Sequence, residues 1–186
     1  IAGHIGSTVP RIDCPTVETA RLLLRPLEEA DLDRYYEIHS TPEVRSSLHT
    51  PESFSRDDAW AQMAAQRGQW ALRHSGQWAV ERKDTGEMIG RAGTHRPQRS
   101  NWPGLECGWT FDPAHWGHGY ATEAGRAAVE WAFANHDDDR LFSVILPGNT
   151  PSQAVATRLG FTLLEERVLE FFPSEAHGIW VLPRPQ

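Results

Sequence analysis

A stretch with small residues at every second position carries the chemistry of this chain. It reads H-W-G-H-G-Y-A-T-E-A at residues 115–124, with Gly117, Gly119 and Ala121 spaced two apart. Such a loop lets the backbone approach a ligand closely, and its N–H groups point the same way as the unpaired donors of the helical pattern that follows. Because the helix dipole adds partial positive charge there, the stretch predicts an anion site that suits a diphosphate.

Two common phosphate-binding motifs do not fit this stretch. A nucleotide-hydrolysing P-loop needs a lysine and a magnesium-binding hydroxyl at fixed positions, and this stretch has neither in the required spacing. The dinucleotide motif G-x-G-x-x-G also fails, because Tyr120, Ala121 and Thr122 follow the second glycine. A plain glycine-rich turn between a strand and a helix remains the alternative, and the neighbouring elements decide between the two.

The surrounding pattern predicts strands mixed with helices. A strand at residues 105–111 precedes the loop, and a helix at 120–135, a strand at 141–146 and a helix opened by Asn149 follow it. Because strands and helices do not alternate strictly, a mixed sheet is favoured over a doubly wound one. The other predicted elements are strands at 21–25, 77–82, 87–94, 162–171 and 178–182, helices at about 28–39 and 55–73, and hairpin turns at 83–86 and 173–177.

The order of these motifs, with W-G-H-G-Y-A-T-E-A followed by N-T-P-S and R-L-G-F, resembles the GNAT acyl-CoA-dependent N-acetyltransferases. The opening T-A-R-L-L-L-R-P at residues 19–26 resembles the RimJ/RimL branch, which acetylates ribosomal-protein N-termini. The resemblance covers about residues 17–182. It implies an α/β GNAT fold whose mixed, mostly antiparallel central sheet is splayed between its fourth and fifth strands and flanked by helices. It also implies acetyl-CoA as the donor and an amine as the acceptor.

In the family, the pantetheine arm of the donor lies between the two splayed strands and extends the sheet by hydrogen bonds. Mapped onto this chain, the gap lies between residues 105–111 and 141–146. The family usually has Gln or Arg at the start of the cradle, where this chain has Trp116, so we expect no phosphate contact from that side chain. The residues expected to bind the donor are Trp109, Thr110, Trp116, Gly117, His118, Gly119, Tyr120, Ala121, Asn149 and Ser152.

Acetylation of an amine needs a group that removes a proton from the nucleophile. Glu106 is the predicted base, acting through a water, because it is an acid on the central strand beside the expected thioester. The family often uses the matching strand residue in this role. The alternative is an ordinary strand glutamate that faces solvent. His95, at the end of the preceding strand, is a second candidate for the base.

The leaving thiolate needs a proton donor, and the usual one is missing. Many GNAT members place a Tyr four residues before the helix-ending Gly, and that position is Ala156 here. The RimL-like pattern makes Ser152 the predicted substitute; a water, or a mere helix-start serine, is the alternative. Asn149 follows Pro-Gly where a helix begins, so it suits an N-cap, and the resemblance adds a hydrogen bond to the pantetheine arm.

Composition and charge limit the class of protein. The chain has 186 residues, 39% of them hydrophobic, with eight Trp, which fits one globular domain. We expect residues 1–16 to form a disordered tail outside the fold and residues 17–186 to form a single acetyltransferase domain. The sequence shows no membrane span, secretory pattern or disulfide framework, which predicts a cytoplasmic protein. Its 18 basic and 25 acidic residues disfavour nucleic-acid binding, and no His or Cys spacing indicates a metal site.

These observations predict an enzyme that moves an acetyl group from acetyl-CoA to an amine by direct attack in a ternary complex. No nucleophile motif indicates a covalent enzyme intermediate. The acceptor stays open among a protein N-terminus, an antibiotic, a polyamine and another small amine, and succinyl-CoA stays open as the donor. An acyl-CoA-binding sensor or interaction module is the main alternative, since Ala156 removes the usual acid; a nucleotide-binding enzyme is disfavoured. Dimers are common among such relatives, so a homodimer is kept as an option.

Overall fold

The computed structural model describes residues 14–186, in which eight strands form one sheet and five α-helices cover it. Most of the predicted tail lies outside these residues. The strands are β1 Val17–Glu18, β2 Leu22–Arg25, β3 Gly76–Arg82, β4 Met88–His95, β5 Glu106–Phe111, β6 Arg140–Ile145, β7 Thr162–Leu169 and β8 Phe172–Pro183. The helices are α1 Leu32–Ser40, α2 Pro42–Leu48, α3 Arg56–Arg73, α4 Tyr120–Asn135 and α5 Thr150–Leu159.

The sheet is antiparallel except at one place. Its strand order is β1-β2-β3-β4-β5-β6-β8-β7, and β5 and β6 are the parallel neighbours. These two strands pair at a single position, Glu106 with Phe142, and then separate. The predicted α/β fold with a mixed, mostly antiparallel and splayed sheet is therefore confirmed. Since the short strand β1 was not predicted, the splay falls between the fifth and sixth strands rather than the fourth and fifth.

Side chains that alternate along β3 divide the core between the two faces of the sheet. Trp78 and Val80 pack with α4 and α5, whereas Ala79, between them, packs with α1 and α3. Cys14 is buried in the first cluster, and the Trp78 indole N–H donates to the Pro15 carbonyl at 2.7 Å. Packing against the core thus begins before residue 17, the predicted start of the domain.

Helix α4 carries small residues where it meets the sheet. Ala124 and Ala128 are fully buried, and the helix lies over β4 and β5. Small side chains let a helix approach a sheet closely, so the first turn of α4 is held beside the end of β5. No helix among residues 14–186 is both long enough and apolar enough to cross a membrane.

Two local predictions were wrong. The turn expected at residues 173–177 lies at Glu170 and Phe171, and Pro173 is inside β8. A proline is tolerated there because β6 pairs with β8 only from Gly178 onward, so no ladder bond on that side is lost. No helix was predicted between residues 39 and 55, yet α2 lies there. Proline at position 42 ends α1 but also suits the first turn of a new helix.

Candidate active site

One cleft of about 1770 Å³ opens along the splayed strands β5 and β6. It extends from the loop before α4 to the tip of the β7–β8 hairpin. The structure places every predicted site residue on its wall, although their roles remain predictions. These residues are Glu106, Trp109, Thr110, Trp116, Gly117, His118, Gly119, Tyr120, Ala121, Asn149 and Ser152.

The loop before α4 has the backbone geometry of an anion cradle. Gly117 and Gly119 have φ angles of 81° and 80°, in the left-handed region that side chains rarely adopt. Gly119 is the N-cap of α4, and no side chain among the described residues caps the helix. A Cβ placed on Gly117 would meet no atom within 4 Å. The first N–H groups of α4 therefore face an open space that an anionic ligand can enter.

Residues from the start of the chain hold this loop in place. Arg21 donates from Nη1 to the His118 carbonyl at 2.9 Å and from Nε to the Glu123 carboxylate at 2.7 Å. The Thr19 hydroxyl donates to the same carboxylate at 2.6 Å. We call these contacts of Thr19 and Arg21 with His118 and Glu123 the cradle clamp. Sequence reasoning missed the clamp, because nothing local links residues so far apart in the chain.

Trp116 has a structural partner inside the protein. Its indole N–H donates to the Phe111 carbonyl at 2.8 Å, although the side chain is 42% exposed. The bond ties the loop to the end of β5 that lies farthest from its pairing with β6. The Trp116 side chain thus helps to fix the loop.

Glu106 is buried at the point where the two splayed strands still touch. Only 8% of the residue is exposed, and its Oε2 accepts a hydrogen bond from the Trp102 indole at 3.1 Å. Burial raises the pKa of the carboxyl to about 7, opposed by the charge of Arg99 and by bonds from Trp102 and the Val144 backbone. A carboxylate with a pKa near 7 can accept a proton at neutral pH and give it up again.

His95, the second candidate for the base, lies 3.3 Å from Glu106, measured from Nε2 to Oε2. Burial lowers the pKa of His95 to about 3, and the charges of Arg91 and Arg99 lower it further. The imidazole is therefore neutral at pH 7 and carries one N–H. Since Nδ1 is buried without a partner in the described residues, the proton belongs on Nε2, where it can bond to the Glu106 carboxylate. The Nε2 of His95 therefore faces the Glu106 carboxylate.

Ser152 lines the same cleft as Glu106 and lies on the first turn of α5. Asn149 caps this helix by accepting from the Ser152 N–H at 3.2 Å, as its position predicts. The Trp109 indole donates to the Ser152 hydroxyl at 3.1 Å. Because this bond occupies a lone pair of the oxygen, the hydroxyl hydrogen is left to point elsewhere. Ala156, at the usual place of the acid, is fully buried.

Within residues 14–186, one group of side chains has ligand atoms close enough to share a cation. Glu87, Asp112 and His115 bring their ligand atoms within 4.8 Å of one another. However, the Arg34 guanidinium bonds to both carboxylates and so supplies a positive charge there. This arrangement is an ion-pair network that fastens α1 to β4 and to the turn after β5.

A comparison with protein families decides the class of protein. The model described as "Acetyltransferase (GNAT) domain" matches residues 21–162, most of the chain. The chain belongs to the GNAT acetyltransferase family. Membership makes it a transferase enzyme, and the fold agrees.

The chain is also similar to individual proteins, two of which carry acetyltransferase names. An acetyltransferase structure from Agrobacterium tumefaciens is 30% identical, with a TM-score of 0.81 over 92% of this chain and 96% of that one. The uncharacterized N-acetyltransferase YoaA of Bacillus subtilis is 26% identical over 79% of this chain and 82% of its own length. Uncharacterized protein YkkB of the same organism is 39% identical, but the match spans 45% of this chain and about half, 48%, of that protein.

Two further residues of this GNAT cleft were missed in the sequence. Arg91 on β4 and Arg99 in the loop after it both line the cleft, and both act on the pKa of Glu106. Arg99 lies in a stretch with two prolines that reads as a polar loop, and Arg91 lies within a strand. No local motif separates either residue from the other arginines of the chain.

Proposed function

We propose that this protein transfers an acetyl group from acetyl-CoA to a primary amine by direct attack in a ternary complex. One observation carries the proposal: Glu106, with a pKa of about 7, and the Ser152 hydroxyl line one cleft that the anion cradle also borders. A group that accepts a proton and a group that donates one are what amine acetylation by a thioester requires.

Glu106 serves as the base. The neutral amine attacks the thioester carbonyl carbon, a C–N bond forms, and the amine proton passes to the Glu106 carboxylate directly or through a water. An α-amine with a pKa near 8 is neutral in about one molecule in ten at pH 7, against about one in 2,500 for a lysine amine. A protein N-terminus, the acceptor in the RimJ/RimL branch, therefore asks less of the base than a lysine does.

Ser152 serves as the acid. When the C–S bond breaks, the sulfur takes the electron pair and the Ser152 hydroxyl passes its proton to the thiolate, which becomes a thiol. Ser152 then regains a proton from the solvent, to which Glu106 releases the proton of the amine. Trp109 fixes the orientation of this hydroxyl, because its N–H already occupies one lone pair of the oxygen. The serine thus takes the place of the tyrosine that Ala156 replaces.

The donor is held by the backbone of two elements. Residues 116–121 offer N–H groups to the diphosphate, with the dipole of α4 behind them. The pantetheine arm lies between β5 and β6, with Trp109, Thr110 and Asn149 beside it. The single paired position of these strands leaves backbone donors and acceptors for the amides of the arm. Acetyl-CoA is the proposed donor, and the cytoplasm, where acetyl-CoA is available, is the proposed location.

A matched pair of substitutions at Gly117 tests the cradle. Aspartate and asparagine have nearly the same shape, both tolerate the left-handed region, and both enter open space there. Aspartate adds one negative charge. At about 5 Å from a phosphate charge and an effective dielectric constant of about 20, the repulsion is about 3 kcal/mol, about 100-fold in Kd.

The measurement is calorimetric titration of acetyl-CoA, CoA, succinyl-CoA and ATP into the wild type and both variants. We expect Gly117→Asp to weaken acetyl-CoA at least tenfold more than Gly117→Asn does. The charge lies near the helix N-terminus and favours folding, so a loss of binding is not explained by unfolding. Equal affinity in the two variants, or tighter binding of ATP than of acetyl-CoA, would refute the assignment of the cradle.

A further inference from the structure

We propose that the acceptor is a small amine that also carries an anionic oxygen group, a carboxylate or a phosphate, which Arg91 and Arg99 bind. This inference rests on the proposed acetyl transfer and names the class of its acceptor. The observation behind it is a pair of cationic side chains on the cleft wall near Glu106, neither of which forms a salt bridge among residues 14–186, although the charge of Glu106 acts on Arg99.

Aromatic rings, rather than a carboxylate, hold Arg99. Its guanidinium carbon lies 3.4 Å from the ring centre of Phe171 and 4.5 Å from that of Trp102. Stacking of this kind fixes the plane of the guanidinium and leaves its N–H groups free to bond at the edges. Burial also lowers the pKa of Arg99 from its usual value, although the charge of Glu106 opposes this shift.

A neutral histidine holds Arg91. Its Nε donates to His39 Nε2 at 2.9 Å, while His39 Nδ1 bonds to the Tyr35 carbonyl at 2.8 Å. Burial lowers the pKa of His39 to about 3, so this partner positions Arg91 without neutralising it. The remaining guanidinium nitrogens of Arg91 are left for another acceptor, and the residue lines the cleft.

Both arginines act at the same place as the base. The charges of Arg99 and Arg91 each lower the pKa of Glu106 and of His95, which puts them within electrostatic reach of the pair. Trp102 contacts both the base and one of the arginines, because its N–H donates to Glu106 and its ring stacks against Arg99. An anionic group on the arginines therefore brings an amine of the same molecule close to Glu106.

The charges select against other acceptors. Although the chain has a net charge of −7, the wall around Glu106 carries two arginines and neutral histidines. Polyamines and aminoglycoside-like polycations would place extra positive charge against Arg91 and Arg99. An amino acid or an aminoalkyl phosphate offers its amine to Glu106 and its anion to the guanidinium groups, which bind planar oxyanions in pairs of hydrogen bonds.

The experiment compares acceptors that differ in one charge. L-amino acids, their C-terminal amides and the matching aminoalkylphosphonates are assayed with acetyl-CoA by release of the CoA thiol. We expect kcat/KM, referred to the neutral fraction of each amine, to be about 10- to 150-fold higher for the acid than for its amide, the range for one charge-assisted bond. Arg99→Gln and Arg91→Gln should each bring this ratio close to one. A phosphonate preferred over the carboxylate identifies a phosphate as the natural group.

Arg140→Gln is the matched control. It makes the same change in charge at an exposed residue that pairs with Asp139 and does not line the cleft. This variant should keep the ratio of the wild type. As a readout independent of turnover, N-acetylated amino acids should raise the melting temperature of the CoA-saturated wild type more than their amides do, and Arg99→Gln should abolish the difference.

Equal use and equal binding of acids and amides would overturn the proposal, as would an arginine variant that weakens both equally. Turnover confined to peptides would overturn the assignment to small acceptors. The titration of acetyl-CoA into the two Gly117 variants reports on the donor site by itself. An intact cradle with no preference for anionic amines would leave the acetyl transfer standing and remove only this choice of acceptor.

Discussion

Replacement of Glu106 by glutamine should remove the pH dependence that the base gives to the reaction. Glutamine keeps the shape and can still accept the hydrogen bond from Trp102, but it cannot take a proton at neutral pH. With a pKa of about 7, about one tenth of the wild-type carboxyl is ionised at pH 6 and about nine tenths at pH 8. The advantage of the wild type over Glu106→Gln should therefore grow about tenfold between these two pH values.

The assay measures kcat/KM for both proteins with one acceptor between pH 5.5 and pH 8.5, and the ratio at each pH is the quantity of interest. The titration of the amine itself cancels in the ratio, because both proteins use the same acceptor. At pH 8 we expect a ratio of about 10²–10⁴, the usual contribution of a general base. A ratio that stays constant across the range, or one that falls as the pH rises, would show that Glu106 is not the base.

Three further predictions follow from other contacts. Trp109→Phe keeps the ring but loses the N–H that orients Ser152, so it should lower kcat severalfold with little change in acetyl-CoA affinity, and it should have no effect in a Ser152→Ala background. Gly90→Ala should lower the free energy of unfolding by about 1–3 kcal/mol, because its Cβ would overlap the Thr110 carbonyl oxygen. Gly68→Ala, in open space on α3, should instead raise the free energy of unfolding by about 0.5–1 kcal/mol. Urea unfolding measures both changes. The pKa of Glu106 is raised in the folded state, so the stability that this group contributes is present below pH 4.5 and is lost as the pH rises to about 7. The melting temperature of the wild type should therefore fall relative to that of Glu106→Gln across this window. Above it, the two melting temperatures should change in parallel.

The elements around the donor site were predictable because their signals are local. Each of these signals can be recognised within a few positions of the sequence: small residues before a helical pattern, a Pro-Gly-Asn helix start, and a strand that contains an acid. Helix α4 begins and ends where the pattern places it, and α3 matches its predicted range to within a residue. The same holds for the hairpin between β3 and β4.

The acceptor side was not predictable, because its residues acquire meaning only through packing. Arg91 is distinguished from other strand arginines by the hydrogen bond that its Nε donates to His39, which is buried on α1. Arg99 becomes fixed only when the β7–β8 hairpin brings Phe171 against it. The position of that turn was itself mispredicted, because Pro173 and Gly178 are residue types typical of turns. In the structure, β8 extends beyond its pairing with β6, so a proline is tolerated within it.

The cradle clamp has a consequence for how the protein folds. Glu123 bonds to residues 102 and 104 positions earlier in the chain, so the loop that it steadies depends on one of the longest closures in the molecule. Such contacts form late, because the entropy of closing the intervening chain must be overcome first. A fragment that starts at β3 holds all the cradle residues and lacks the clamp. Affinity for acetyl-CoA should therefore report on completion of the fold, and in refolding it should recover after helical circular dichroism does.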